Sequence, residues 1–99
     1  MWVDGPNGEH HGARAVVDEL VRQLSIFPGQ WIEVDTLVAD GPTVMVEWHG
    51  GFPARGTMIR TKVMAVFEVG ANGRIQQMRE SFDMGSLVRQ LEAAGVALA

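Results

Sequence analysis

The sequence predicts an α+β domain: an antiparallel sheet with segregated helices. Three observations carry the prediction: a stretch of helical period from Ala13, four long stretches of strand period between residues 31 and 82, and a second helical stretch after Asp83. With 99 residues the chain is expected to be one domain, 1–99, around one core. Hydrophobic residues make up 46% and charged residues 20%, a globular balance that excludes disordered and fibrous classes.

Residues 2–12 contain Gly5, Pro6, Asn7, Gly8 and Gly12, so a short strand over Trp2 to Asp4 should run into a long loop. From Ala13, Val16, Val17, Leu20, Val21 and Leu24 recur at helical spacing, with Arg14, Asp18, Glu19, Arg22 and Gln23 on the other side. Pro28-Gly29 ends that helix. The period then drops to two. Ile32, Val34, Thr36 and Val38 form one face of a strand, and Trp31, Glu33, Asp35 and Leu37 the other. Asp40-Gly41-Pro42 turns the chain into Val44, Val46 and Trp48, which alternate with Met45, Glu47 and His49 as far as Gly50-Gly51. After a loop at residues 53–56, residues 57–69 form a long strand. Ile59, Thr61, Val63, Ala65 and Phe67 take one face; Met58, Arg60, Lys62, Met64 and Val66 take the other. Asn72-Gly73 marks a hairpin into a strand from Arg74 to Phe82. Asp83 caps a last helix bearing Met84, Leu87, Val88 and Leu91, with Gly95 as its stop.

Composition narrows the function classes. A formal charge of −4 argues against nonspecific binding to nucleic acid or anionic membrane. The absence of cysteine excludes disulfides and thiolate chemistry. No basic-then-apolar leader is read at the N-terminus, and the longest apolar run, Val63 to Phe67, is far short of the ~18 residues of a membrane helix, so a cytoplasmic protein is expected. Arginine-, alanine- and valine-rich usage suggests a bacterial source.

From Thr43 to Leu91 the motifs Val-x-Val-Glu-x-His, Val-Phe-Glu-Val, Asn-Gly-Arg-Ile and Met-Arg-Glu-Ser-Phe-Asp-Met occur in order, and Gly12-Ala13-Arg14-Ala15-Val16 enters the first helix. In these motifs the chain resembles the nuclear transport factor 2-like superfamily, in the branch of limonene-1,2-epoxide hydrolase and the SnoaL-like polyketide cyclases. That resemblance implies a curved antiparallel sheet, a cone-like half barrel around an apolar pocket, N-terminally shortened because family members carry two helices before the first strand. It also implies dimerisation on the outer sheet face. A partly uncovered concave face is then expected to be closed by subunit contact, strand exchange or the tail from Ala93 to Ala99.

In the hydrolase branch an Asp-Arg-Asp set opens the epoxide, with a Tyr and an Asn on the first strand. By resemblance the arginine position falls on Trp48, its partner aspartate on Gly50, the last-strand aspartate on Glu80, and the Tyr and Asn on Trp2 and Asp4. Of the set only the Glu80 carboxylate is retained, so little or no epoxide hydrolysis is expected. Glu80 shares a face with Met78 and Phe82, where an apolar setting raises a carboxyl pKa and suits acid–base work. Asp4 is its candidate partner. Trp2, Trp48, Thr61, Val63, Met78 and Phe82 are the candidate pocket lining. No metal and no cofactor is expected: His10 and His11 beside Glu9 are read as part of a solvent loop, and lipase and phosphate-loop spacings are absent. Two functions remain open. One is an apolar small-molecule binder or a carboxylate acid–base enzyme. The other is a noncatalytic assembly module with a filled pocket. In either case Met45, Met58, Met64 and Val66 form the expected homo-oligomer surface, with Arg60 and Lys62 at its rim.

Overall fold

The alternating stretches resolve, in a computed structural model, into six strands and two helices. The structure describes residues 2–5 and 8–96, the side chains of residues 2–4 excepted. In chain order these are β1 (Trp2–Gly5), β2 (Gly8–His11), α1 (Ala13–Ile26), β3 (Trp31–Asp40), β4 (Thr43–Ala54), β5 (Thr57–Val69), β6 (Ile75–Phe82) and α2 (Met84–Ala93). The strands form one curved sheet in the order β2-β1-β6-β5-β4-β3. Every neighbouring pair is antiparallel except β1 and β6, which run parallel with Trp2, Val3 and Asp4 abreast of Gln77, Met78 and Arg79.

The predicted turns hold their places, with positive φ at Gly29, Gly41, Gly73 and Gly95. Asn72 stabilises its turn by accepting a hydrogen bond from the Arg74 N–H at 3.0 Å. Between β4 and β5 the chain reverses more tightly than a loop at 53–56 would, through Arg55 (φ 49°) and Gly56 (φ 78°). Two successive left-handed residues match the twist of the flanking strands.

Three features differ from the sequence reading. First, Gly8–His11 is a strand paired with β1, and the long loop expected after Asp4 is absent there. Turn formers flank this strand closely enough to mask its short alternation. Second, β4 does not stop at Gly50-Gly51 but continues to Ala54. A Cβ on Gly50 would strike the Trp31 carbonyl oxygen, and one on Gly51 the Ile59 carbonyl oxygen. The glycine pair is therefore where neighbouring backbone comes unusually close, and not a strand end. Third, a bulge at Asp35 shifts the β3 register between Val34 and Thr36. Ile32 and Val34 lie abreast of Gly50 and Trp48, but beyond the bulge Leu37 is abreast of Val46 while Val38 is abreast of Met45. The single face predicted for Ile32, Val34, Thr36 and Val38 is thus divided between both sides of the sheet.

The core sits where α2 crosses β5. Phe52, Ile59 and Leu91 are buried, and Ile59 is 0% exposed. Phe27, Ala54 and Leu87 pack against them, together with Ala94 and Val96 from the predicted tail; residues 97–99 lie outside the described residues. Phe27 stacks on Phe52 with ring centroids 4.4 Å apart. The β5–β6 register extends only to Val63, so the backbone of Arg60 faces no strand on that side. The Gln90 side chain takes the strand's place: its amide donates to the Arg60 carbonyl at 2.8 Å and accepts from the Arg60 N–H at 2.9 Å. This satisfies two main-chain groups and fixes α2 to the sheet edge.

Asp83 caps α2 as the sequence indicates, its Oδ1 accepting from the Ser86 N–H at 2.9 Å. Asp83→Ala is expected to destabilise the fold by about 1 kcal/mol. Urea denaturation measures this, and an unchanged midpoint would show that the cap contributes nothing.

Candidate functional site

The β4–β5–β6 register assembles one row of side chains on the inner, α2-bearing face of the sheet. Trp48 and Phe82 are both abreast of Val63, Val46 and Glu80 of Ala65, and Met78 of Phe67. Thr61 lies in the same row beside Gly50. Six residues singled out from the sequence, Glu80, Trp48, Thr61, Val63, Met78 and Phe82, therefore share a face. For Trp2 and Asp4 the structure gives only the backbone, which is hydrogen-bonded in β1 beside β6.

Glu80 is half-buried and has no hydrogen-bond or ion-pair partner among the described residues. Burial among apolar neighbours pushes its carboxyl above the ordinary value. Its side chain leans over β1, because a Cβ built on Gly5 would lie 2.6 Å from Glu80 Cγ and 3.3 Å from Oε1. Gly5 thus leaves the space that the carboxylate occupies. Trp48, abreast of Val63, presents an indole to this face. At Gly50 the Trp31 carbonyl leaves no room even for a methyl group, so a second carboxylate could not be introduced there without moving β3.

One inner residue was missed. His10, read from the sequence as loop, is the least exposed residue of β2, a strand that packs against α1, and its Nε2 is buried without a hydrogen-bond partner. The signal was the alternation itself, since Glu9 and His11 on either side are exposed and lie 3.3 Å from one another.

The outer face holds a second cluster. His49 Nδ1 is 2.8 Å from both Asp35 carboxylate oxygens and Nε2 is 3.2 Å from Glu33 Oε2. The Asp35 hydrogen bond raises the His49 pKa, against a smaller opposing effect of burial. Trp31 packs edge-on to His49, Arg60 lies 5.9 Å over the Trp31 ring, and Trp31 Nε1–H donates to Met58 Sδ. Farther along this face Val38, Met45, Met64 and Val66 line an open apolar depression of about 570 Å³. No group of three His, Asp or Glu side chains suited to a metal ion occurs among the described residues. No helix among them is long and apolar enough to cross a membrane.

Comparison with known proteins agrees with this fold. The family model of the SnoaL-like domain matches residues 1–78. The chain belongs to the SnoaL-like family. Among solved structures, a candidate SnoaL-like polyketide cyclase from Jannaschia sp. CCS1 superposes with a TM-score of 0.83 at 16% identity, over 94% of this chain and 71% of that one. A candidate polyketide cyclase from Acidithiobacillus ferrooxidans gives 0.81 at 18% identity, over 94% and 76%. An epoxide hydrolase of the limonene-epoxide-hydrolase-like type from M. tuberculosis gives 0.70 at 26% identity, over 94% and 72%. The first two likenesses establish the fold alone. Among curated proteins no sequence match to this SnoaL-like domain is found.

Proposed function

We propose that this SnoaL-like domain binds an apolar small molecule on the inner sheet face, with Glu80 as its polar anchor and, where a reaction follows, its proton-transfer group. The carrying observation is a half-buried carboxyl with a raised pKa and no protein partner, set among Met78, Phe82, Ala65 and Val46. A half-buried carboxyl without a protein partner is partly stripped of water, a cost that a ligand atom can offset. Trp48 and Gly50 supply neither the guanidinium nor the second carboxylate, so a water and an epoxide oxygen cannot both be served, and epoxide hydrolysis is not the activity we assign.

Titration of the labelled protein with 2-naphthol, followed by NMR, tests the reading. Shifts are expected at Val46, Val63, Ala65, Met78 and Phe82, with weaker binding in Glu80→Gln. Shifts confined to Met45, Met64 and Val38 would refute it.

A second role, assembly, rests on a different observation. Large apolar side chains clustered on an exposed face are uncommon on a soluble monomer and mark interaction surfaces. On the outer face Val38, Met45 and Met64 are 57%, 55% and 64% exposed. We propose a homodimer on this face, with Met58 and Val66 continuing the patch and Arg60 and Lys62 at its rim. Sedimentation at micromolar concentration should show a dimer that Met64→Glu dissociates. A monomeric wild type would rule it out.

A further inference from the structure

Helix α1 turns its apolar stripe away from its own domain. Val17, Leu20, Val21 and Leu24 recur at helical spacing, yet each is more than half exposed, while Val16, one position away, is buried. The covered side is largely polar. There the Glu19 side chain is only 14% exposed and accepts hydrogen bonds from Arg22 and, at 3.0 Å, from Gln23. Those bonds hold its carboxyl well below the usual carboxylate range, with a smaller attraction from His10 on β2. The roll of the helix is fixed at both ends. Val16 is buried near its start, Phe27 at its end stacks on Phe52 in the core, and Gln30 donates to the Gln23 carbonyl at 3.1 Å. Burying the stripe by rotation would break these contacts, so the stripe stays available to another surface.

The border of the stripe identifies what that surface is. Arg14, Asp18 and Arg22 follow one another at four-residue spacing along one side of it, alternating in sign. All three side chains are exposed, and Arg14 reaches Asp18 at 3.4 Å. A row of this kind complements its own reverse. When two α1 helices lie antiparallel about a twofold axis between Leu20 and Val21, Val17 meets Leu24 of the second copy and Leu20 meets its Val21. Asp18 then comes beside Arg22 in both directions. A parallel pair would set Asp18 against Asp18 and Arg22 against Arg22. Exposed border charges add little affinity, but they choose orientation and partner. The 14 residues of α1 span about 21 Å, so the contact is smaller than the roughly 800 Å² per partner of a standard interface and belongs to the transient class.

We propose that a second copy of this chain docks on α1, stripe to stripe and antiparallel, at a surface separate from the outer sheet face. The proposal stands independently of the outer-face homodimer. With both surfaces in use, dimers would join into larger assemblies.

The chain has no cysteine, so introduced thiols report the pairing without background. Val17→Cys and Leu24→Cys are prepared separately on a Met64→Glu background, which removes the outer-face contact, and oxidised alone and as an equal mixture. The mixture should yield a disulfide-linked dimer joining positions 17 and 24, at least about five-fold more than either variant alone. Adding Val21→Glu, at an exposed position that leaves the fold intact, should abolish the link. Equal linking in the mixture and in the single variants overturns the antiparallel pair, as does a link that survives Val21→Glu. Absence of any link overturns the docking of a second copy on α1 and leaves the outer-face dimer standing. Should Met64→Glu fail to fold, the same mixture on the wild-type background decides the matter by the same 17-to-24 link and its loss in Val21→Glu.

Discussion

Gly51→Ala is expected to lower the melting temperature by roughly 10–20 °C, since overpacking costs about 1–3 kcal/mol or more and a domain of this size shifts by about 4–8 °C per kcal/mol. The cause is backbone against backbone. The added methyl would strike the Ile59 carbonyl of the neighbouring strand, and no side-chain rotation relieves that contact. Ile59 is also the most buried residue of the core, so any displacement of β5 is passed to Phe52 and Leu91. Ile59→Ala, at about 2–5 kcal/mol, gives the comparison scale. Calorimetry on the two variants distinguishes the cases. A Gly51→Ala protein melting within 2 °C of wild type would mean that β4 and β5 can separate freely at this point.

Glu80→Gln should make the fold more stable at neutral pH while weakening ligand binding on the inner face. In the folded chain the carboxyl pKa is raised by burial. At low pH both folded and unfolded states hold the proton. As pH rises past the ordinary glutamate value the unfolded chain releases it first, so stability falls until the folded value is also passed. Glutamine cannot ionise and escapes this loss. The stability difference between variant and wild type should therefore be near zero below the ordinary glutamate value and favour the variant at pH 7. Any acid–base turnover on the inner face should drop by about 10²–10⁴-fold in the same variant. A variant no more stable than wild type at pH 7 would show that Glu80 is solvated. Such opposition between stability and function is common where an active group is kept in an unfavourable setting.

How much of this could be read in the sequence follows from the range of each interaction. The hairpins of β3 to β6 and the Asp83 cap depend on neighbours a few positions away, and turn chemistry and alternation located them. The inner row was legible for the same reason: Met78, Glu80 and Phe82 alternate within β6, and a strand's period is insensitive to what it pairs with. Asp35 is the instructive failure. A bulge arises from pairing with β4 and leaves no mark in composition, so extrapolating Ile32 and Val34 onward put Val38 on the wrong face. Gly50-Gly51 failed differently, because glycine signals both a turn and a close approach, and only the position of Trp31 and Ile59 decides between them. The inward placement of His10 depended on recognising a four-residue strand hidden among turn formers.

The parallel pairing of β1 with β6 joins Trp2 to Gln77, 75 positions apart. The β3 to β6 meander can form hairpin by hairpin, each closing a short loop, whereas this contact must close nearly the whole chain and bears the largest loop-closure entropy. The edge hairpin of β1 and β2 is thus expected to dock late in folding and to detach first in native-state hydrogen exchange. Gly5 and His10 travel with that hairpin, while Glu80 stays behind on the meander. A ligand held by Glu80 and reaching over Gly5 would act as a clasp across this seam, adding its binding free energy directly to the docked form over the detached one.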